Sequence, residues 1–329
     1  LDFSLKPFSL FQGEPIMNIS LGPAPLHWGK EKLTQFYQEV AEAPLNTVFI
    51  GEVFCEKRNT LSEEELEEFL MLLLKKGKEV YFSTGTLITN GIQWERLRKR
   101  CEIFQGIEAN TVGILDYFQG KRKIVAGPFL NLYNHRSIQF LEKCGIAGVV
   151  LPCELPHHSV ESIVKEVKAP VEVVAYGNLP LGVSWRCYLA RAFGRGVERC
   201  QFTCRDYPQG IEAETIDGMP LFIVNGPYIQ SAYSRCLIGE LEYLKAMGVA
   251  SIRIMPQYEH TSEIVKIFRD TMEYRVSAQD AFEQLASFSG SPLTNGWFHG
   301  EAGWKYVKED QGCSVKESKN YLSPHHNIC

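Results

Sequence analysis

From Met17 onward, short runs rich in β-branched and aromatic residues alternate with longer stretches whose apolar positions recur three and four residues apart. The short runs predict nine strands, at 18–21, 47–50, 79–83, 106–109, 124–126, 148–151, 171–175, 221–224 and 251–255. Between them, Leu33, Phe36, Tyr37 and Val40 form one helical stripe, Leu66, Phe69, Leu70 and Leu73 a second, and Val160, Ile163, Val164 and Val167 a third. The second helix carries its own punctuation. Ser62 caps its start, Glu65 completes a capping box, and Gly77 ends it behind Lys75 and Lys76.

Strands that alternate with helices of this length belong to the α/β class with a parallel sheet. A doubly wound open sheet has the same local pattern, and the strand count favours the closed form: a single (β/α)8, TIM-barrel-like domain, irregular in places, over residues 17–307. No repeat, low-complexity tract or Pro/Ser-rich linker divides it. Residues 1–16 read as an N-terminal extension, and residues 308–329, polar and aperiodic, as a flexible C-terminal tail.

At 329 residues and 45% hydrophobic content the chain can bury a full core. Its 34 basic and 39 acidic residues leave a net charge of −5, which supplies no general field for a phosphate backbone, so no nucleic-acid partner is expected. The longest apolar run, 69–74, falls far short of the ~20 residues that cross a bilayer, so no transmembrane segment is expected either. The first sixteen residues lack a basic segment followed by an apolar one, which points to the cytoplasm. Disulfides rarely persist there, so a cluster among the ten cysteines is to be tested first as a ligand set.

Cys187, Cys200 and Cys204 fall within eighteen residues, spaced C-x12-C-x3-C, in a stretch too rich in Arg and Gly for a buried core segment. Three ordinary reduced thiols are the plain alternative. Cys55 follows the predicted strand 47–50, and Cys187 follows 171–175. In a parallel barrel the segments after strands gather at one rim, so the two loops can converge. Four thiolates suit tetrahedral zinc or an iron–sulfur cluster. Structural zinc usually shows paired C-x2-4-C knuckles, which only Cys200 and Cys204 approach, so the spacing leans toward a cluster. Arg205, Asp206 and Tyr207 follow Cys204, so the C-x3-C-x2-C loop of radical S-adenosylmethionine chemistry is absent. Cys101 and Cys144 at helix ends, Cys153 after a strand, and Cys236 on a helix with Leu237, Leu241 and Leu244 read as packing residues. Cys313 and Cys329 lie in the tail.

The chain has no H-E-x-x-H, G-x-S-x-G or Walker motif, and no catalytic residue can be assigned. His157 and His158 read as a solvated loop. Polar residues after strands would share the cysteine rim: Asn131, Tyr133 and Asn134 after 124–126, Asn225 after 221–224, and Gln257 after 251–255. Such amides and phenols can orient a polar aromatic or carboxylate-bearing ligand, with Lys57, Arg58 and Arg186 to neutralise its charge. They serve turn hydrogen bonds equally well.

The segment from Ala175 through Arg186 to Cys187, the later Cys200 and Cys204, the segment from Gly51 to Arg58, and Ala126-Gly127 with Asn131-Leu132-Tyr133-Asn134 together resemble the collagenase-like peptidase family, in its ubiquinone-biosynthesis branch. The resemblance covers most of residues 17–307. It implies a [4Fe–4S] cluster on Cys55, Cys187, Cys200 and Cys204. It further implies an enzyme subunit working as a heterodimer with a UbiU-like protein in oxygen-independent ring hydroxylation, with prephenate as oxygen donor. A lipid-binding accessory protein of the same pathway is a further implied partner. Other members of the family hydroxylate RNA bases, and a non-catalytic, cluster-bearing structural subunit is a third alternative. No residue points to peptidase chemistry, and Trp185 stands where the pattern expects a small residue.

Overall fold

A computed structural model of the chain describes residues 17–308; the extension 1–16 and the tail beyond, with Cys313 and Cys329, lie outside the described residues. Strands β1 (Asn18–Leu21), β2 (Thr47–Ile50), β3 (Glu79–Ser83), β4 (Gly106–Ala109), β5 (Lys123–Ala126), β6 (Gly148–Val150) and β7 (Val171–Val183) pair in parallel, in chain order. The chain then makes an antiparallel excursion through β8 (Ile211–Glu214), β9 (Pro220–Asn225) and β10 (Tyr228–Cys236). It returns in β11 (Ser251–Ile254), which pairs in parallel with both β7 and β1 and closes an eight-stranded barrel. A last short strand, β12 (Leu293–Thr294), lies beside β10.

Helices α1 (Lys30–Glu42), α2 (Glu63–Lys75), α3 (Gly91–Ile103), α4 (Val112–Phe118), α5 (His135–Glu142) and α6 (His157–Glu166) connect the first seven strands. The five-residue α7 (Tyr188–Ala192) belongs to the excursion, and α8 (Leu241–Met247), α9 (Thr261–Met272) and α10 (Ala278–Phe288) complete the set. The packing follows the sequence stripes: Phe36, Tyr37 and Val40 of α1, Leu66, Phe69 and Leu73 of α2, and Val160 and Ile163 of α6 are buried. The capping box of α2 is complete, with Ser62 Oγ accepting from Glu65 N–H at 3.2 Å and Glu65 accepting from Ser62 N–H at 2.9 Å. No helix of the described residues is long and apolar enough to cross a membrane.

Eight of the nine predicted strands form the barrel, and the ninth, 221–224, belongs to the excursion as part of β9. The expected end of the seventh strand at 175 is corrected to Val183. Gly177 and Pro180 look like breakers in sequence. Gly177 instead carries a φ of +105° where the strand passes Met255, and a side chain there would meet the Met255 backbone oxygen at 2.9 Å. Opposite Pro180, β10 shifts register between Ile229 and Gln230, so the missing N–H is tolerated. Cys236 is likewise corrected: it ends β10 and precedes α8. His157 opens α6 instead of lying in a loop, its N–H and Nδ1 both at the Phe298 carbonyl (2.7 and 2.9 Å).

The barrel interior holds a buried charge system that the sequence pattern does not announce. Arg253 of β11 donates through Nη1 to Glu108 (2.7 Å) and through Nε to Glu172, and its guanidinium lies 4.0 Å from the Phe49 ring centroid. Ser83 Oγ donates to the second Glu108 oxygen, and Asn110 Nδ2 reaches Ser83 Oγ (3.3 Å) and the Thr84 carbonyl (2.9 Å).

Candidate metal centre and the rim cavities

The thiol region is built where the excursion folds back over the first two strands. After β2, Glu52 turns the chain by accepting the N–H groups of Phe54 (2.9 Å) and Cys55 (3.0 Å), and a 3-10 turn, Glu56–Arg58, follows. After β7, Cys187 caps α7, its Sγ accepting the Ala190 N–H at 3.3 Å. Cys204 sits in a 3-10 turn, Thr203–Asp206, one turn after Cys200. All eight described cysteines are free thiols.

Asn225, fully buried at the end of β9, ties these loops together. Its Nδ2 donates to the carbonyls of Cys204 (3.1 Å) and Tyr207 (2.8 Å), while its Oδ1 accepts from Arg58 Nη1 (2.7 Å) and His27 N–H (3.4 Å). His27, from the loop between β1 and α1, places Nδ1 3.3 Å from Cys204 Sγ. Arg58 is 2% exposed, interacts with the Cys55 and Cys204 thiols, and has Glu52 3.8 Å from its Nε.

Burial dominates the electrostatics. It pushes the Cys55 thiol up and the Cys204 thiol up to about 11, with Arg58 opposing and the neighbouring thiols adding to the rise: Cys187 acts on Cys55, and Cys55 and Cys187 act on Cys204. The same burial, helped by Arg58 and Arg205, lowers His27 to about 4, so its imidazole is neutral at neutral pH. The structure thus gathers Cys55, Cys187 and Cys204; Cys200, the fourth expected ligand, is half-buried four residues before Cys204, its carbonyl accepting from Thr203. Among the described residues no three of His, Cys, Asp or Glu stand close enough to hold one ion.

The eight polar residues expected to share one pocket are divided. Lys57 lines a cavity of about 560 Å³ beside Cys55, with Arg96, Arg100, Glu52, Glu56 and Glu63. Asn131 and Tyr133 line a second cavity of about 360 Å³ over the ends of β5, β6 and β7. Gln257 lines a third, of about 250 Å³, and donates to the Met255 carbonyl. Arg58 and Asn225 are structural partners of each other under the thiols. Asn134 caps α5 by accepting the Ser137 N–H (3.0 Å), and Arg186 is exposed. His27 escaped the sequence reading; its place after the first strand was the signal that could have found it.

Among solved structures, similar ones include a dihydrodipicolinate synthase family protein from Coccidioides immitis (12% identity, TM-score 0.47, covering 83% of this chain and 78% of that one). Another is a truncated 3-deoxy-D-arabino-heptulosonate 7-phosphate synthase from Thermotoga maritima (15% identity, TM-score 0.40, 87% of this chain and 94% of that one). In sequence, the chain is 24% identical over 242 residues to tRNA hydroxylation protein P2 of Bacillus subtilis (strain 168), a match covering 68% of this chain and 76% of that protein. The pattern of peptidase family U32 matches residues 28–308, and the chain belongs to that family.

Proposed function

We propose that the chain is a UbiV-like subunit that carries a [4Fe–4S] cluster on Cys55, Cys187, Cys200 and Cys204 and supports oxygen-independent ring hydroxylation in ubiquinone biosynthesis. In this reading it acts in the cytoplasm as a heterodimer with a UbiU-like partner, with prephenate as oxygen donor and a lipid-binding accessory protein nearby. The observation that carries the proposal is the convergence of Cys55, Cys187 and Cys204 over Arg58.

The surroundings fit as well. A group held by four thiolates is anionic overall, and one buried donor here, Arg58 Nε, has no hydrogen-bond partner. When bound, the cluster supplies one-electron or Lewis-acid chemistry. The chain's own part is to hold the thiols through Asn225, to balance their charge with Arg58, and to keep water from Cys204, which is 8% exposed. The cavity beside Cys55 holds three basic and three acidic side chains, so a carboxylate donor would enter by displacing an ion pair such as Arg96–Glu56 (2.8 Å).

Anaerobic purification tests the reading. About four irons and four sulfides per chain, lost in Cys55→Ala and Cys204→Ala, are expected. Zinc in place of iron, or a deletion strain that still makes ubiquinone normally without O2, would overturn it. A second reading, hydroxylation of an RNA base, is favoured by the name of the Bacillus relative. Loss of a hydroxylated tRNA nucleoside in the deletion strain, with ubiquinone unchanged, would select it.

A further inference from the structure

We propose that residues 184–207, the segment that carries three of the four candidate ligands, form a docking face for a small protein with clustered surface carboxylates, of the one-electron-carrier class. The docking itself stands on surface residues, and only the choice of a carrier rests on the metal-centre reading.

Charge sets this segment apart. It holds five arginines against Glu198 and Asp206, in a chain whose net charge is −5. Arg96 and Arg275, exposed elsewhere on the molecule, are each neutralised by a carboxylate, Glu56 for the first and Asp270 for the second. Within the segment, Arg186, Arg191, Arg199 and Arg205 are exposed, and no carboxylate among the described residues pairs with any of them. The fifth, Arg195, is turned inward and donates to Thr203 Oγ1 (2.6 Å). Glu198 faces Lys57 at 3.7 Å, so it does not cancel the arginines.

The same segment keeps four aromatic side chains out of the core: Trp185, Tyr188, Phe193 and Phe202 are between 40% and 62% exposed. Their positions are built into the chain. Helix α7 buries Leu189 and Ala190 and turns Tyr188 and Arg191, three residues apart, outward. Phe193 rests on Tyr207, ring to ring at 5.9 Å. Gln201 and Phe202 both take a left-handed φ, +51° and +53°, which residues with bulky side chains avoid unless their surroundings impose it. Phe202 there lies 6.0 Å from the His27 ring, whose Nδ1 is 3.3 Å from Cys204 Sγ.

Trp, Tyr and Arg are the side chains that carry most of the energy of protein interfaces. Permanent interfaces are more apolar than this face, whereas electron-transfer encounters are small and steered by opposite charge. A nucleic-acid strand would also complement the arginines, but it would run on into the field of an acidic chain, while a small protein covers the segment alone. A carrier docked here is separated from Cys204 by little more than Phe202 and His27, which is the placement that a group held by the thiols would need.

The test is titration of dye-labelled flavodoxin, an acidic one-electron carrier, with the full chain, read by fluorescence anisotropy. Affinity should fall about tenfold or more between about 50 mM and about 300 mM salt. Arg191→Glu combined with Arg199→Glu should cost about tenfold or more at the lower salt, and Tyr188→Ala about tenfold at either. All three side chains are exposed, so folding is kept. Lys143→Glu with Lys266→Glu changes the net charge equally, just after α5 and on α9, and should leave binding as it is in the native chain. No binding at low salt, or a loss in this control as large as in the arginine pair, would overturn the docking face. So would a single-stranded RNA of about 20 nucleotides that binds more tightly than flavodoxin and is lost with the same arginines. Cys55→Ala should bind flavodoxin like the native chain. Iron without flavodoxin binding sinks this inference and leaves the metal-centre reading; binding by a native chain that never takes up iron does the reverse.

Discussion

Of the three arginines no more than 2% exposed among the described residues, Arg253 and Arg58 are paired in different ways. Arg253, inside the barrel, meets two carboxylates directly, Glu108 and Glu172, and rests on the Phe49 ring, with only its Nη2 lacking a hydrogen-bond partner. Arg58, under the rim, has its one carboxylate, Glu52, at 3.8 Å, and its closest hydrogen bond goes to the neutral amide of Asn225. The barrel interior is therefore balanced by its own residues, with charge to spare on the carboxylate side. The rim is balanced incompletely, because the thiols around Arg58 are held protonated by burial. A buried cation without a full counter-charge costs stability, and its retention here is consistent with an anionic group drawn to that place. The difference separates a charge paired within the fold from one that the proposed cluster would complete.

The sharpest way to break the comparison is to remove both charges in turn. Arg253→Met leaves two buried carboxylates unpaired and should destabilise the anaerobically purified chain by about 3–5 kcal/mol in denaturant unfolding. Arg58→Met removes a cation that is only partly paired and should cost about 1–3 kcal/mol, with iron content falling much further than stability does. Equal stability losses, or an Arg58→Met chain with full iron, would show that the two regions do the same work. Asn225→Ala comes next. It strips the donor from the Cys204 and Tyr207 carbonyls and the acceptor from Arg58, an expected loss of about 2 kcal/mol by unfolding and a marked drop in iron.

The contrast also separates what the sequence made legible from what it did not. Barrel strands are local objects, each announced by an apolar run, and they emerged nearly at their true limits, while α1, α2 and α6 were announced by their apolar stripes. The long β7 did not, because Gly177 and Pro180 mimic a stop that only the neighbouring Met255 and the register shift in β10 remove. The three cysteines that the structure gathers were marked by position, Cys55 and Cys187 each following a predicted strand and Cys204 falling seventeen residues after Cys187. The polar residues after strands were legible as rim residues but not as three separate cavities, which depend on how the excursion folds. Arg253, between Ile252 and Ile254 in β11, and His27, in a Pro-rich loop, take their meaning from partners many residues away, and no local pattern encodes such partners.

The smallest expected effect tests whether the rim depends on the scaffold at all. Helix α2 begins five residues after Arg58, and its capping box fixes the point where the Cys55 loop rejoins the barrel wall. Ser62→Ala removes the acceptor for Glu65 N–H and should cost about 1 kcal/mol, read as a modest fall in the unfolding midpoint. If the thiol region is held by Asn225 and Arg58, iron content in this variant should match the native chain, because neither residue draws on the helix start. A loss of iron as large as that in Asn225→Ala would mean that the loop is positioned from its helix end, and that the hub under the thiols follows the scaffold instead of organising it.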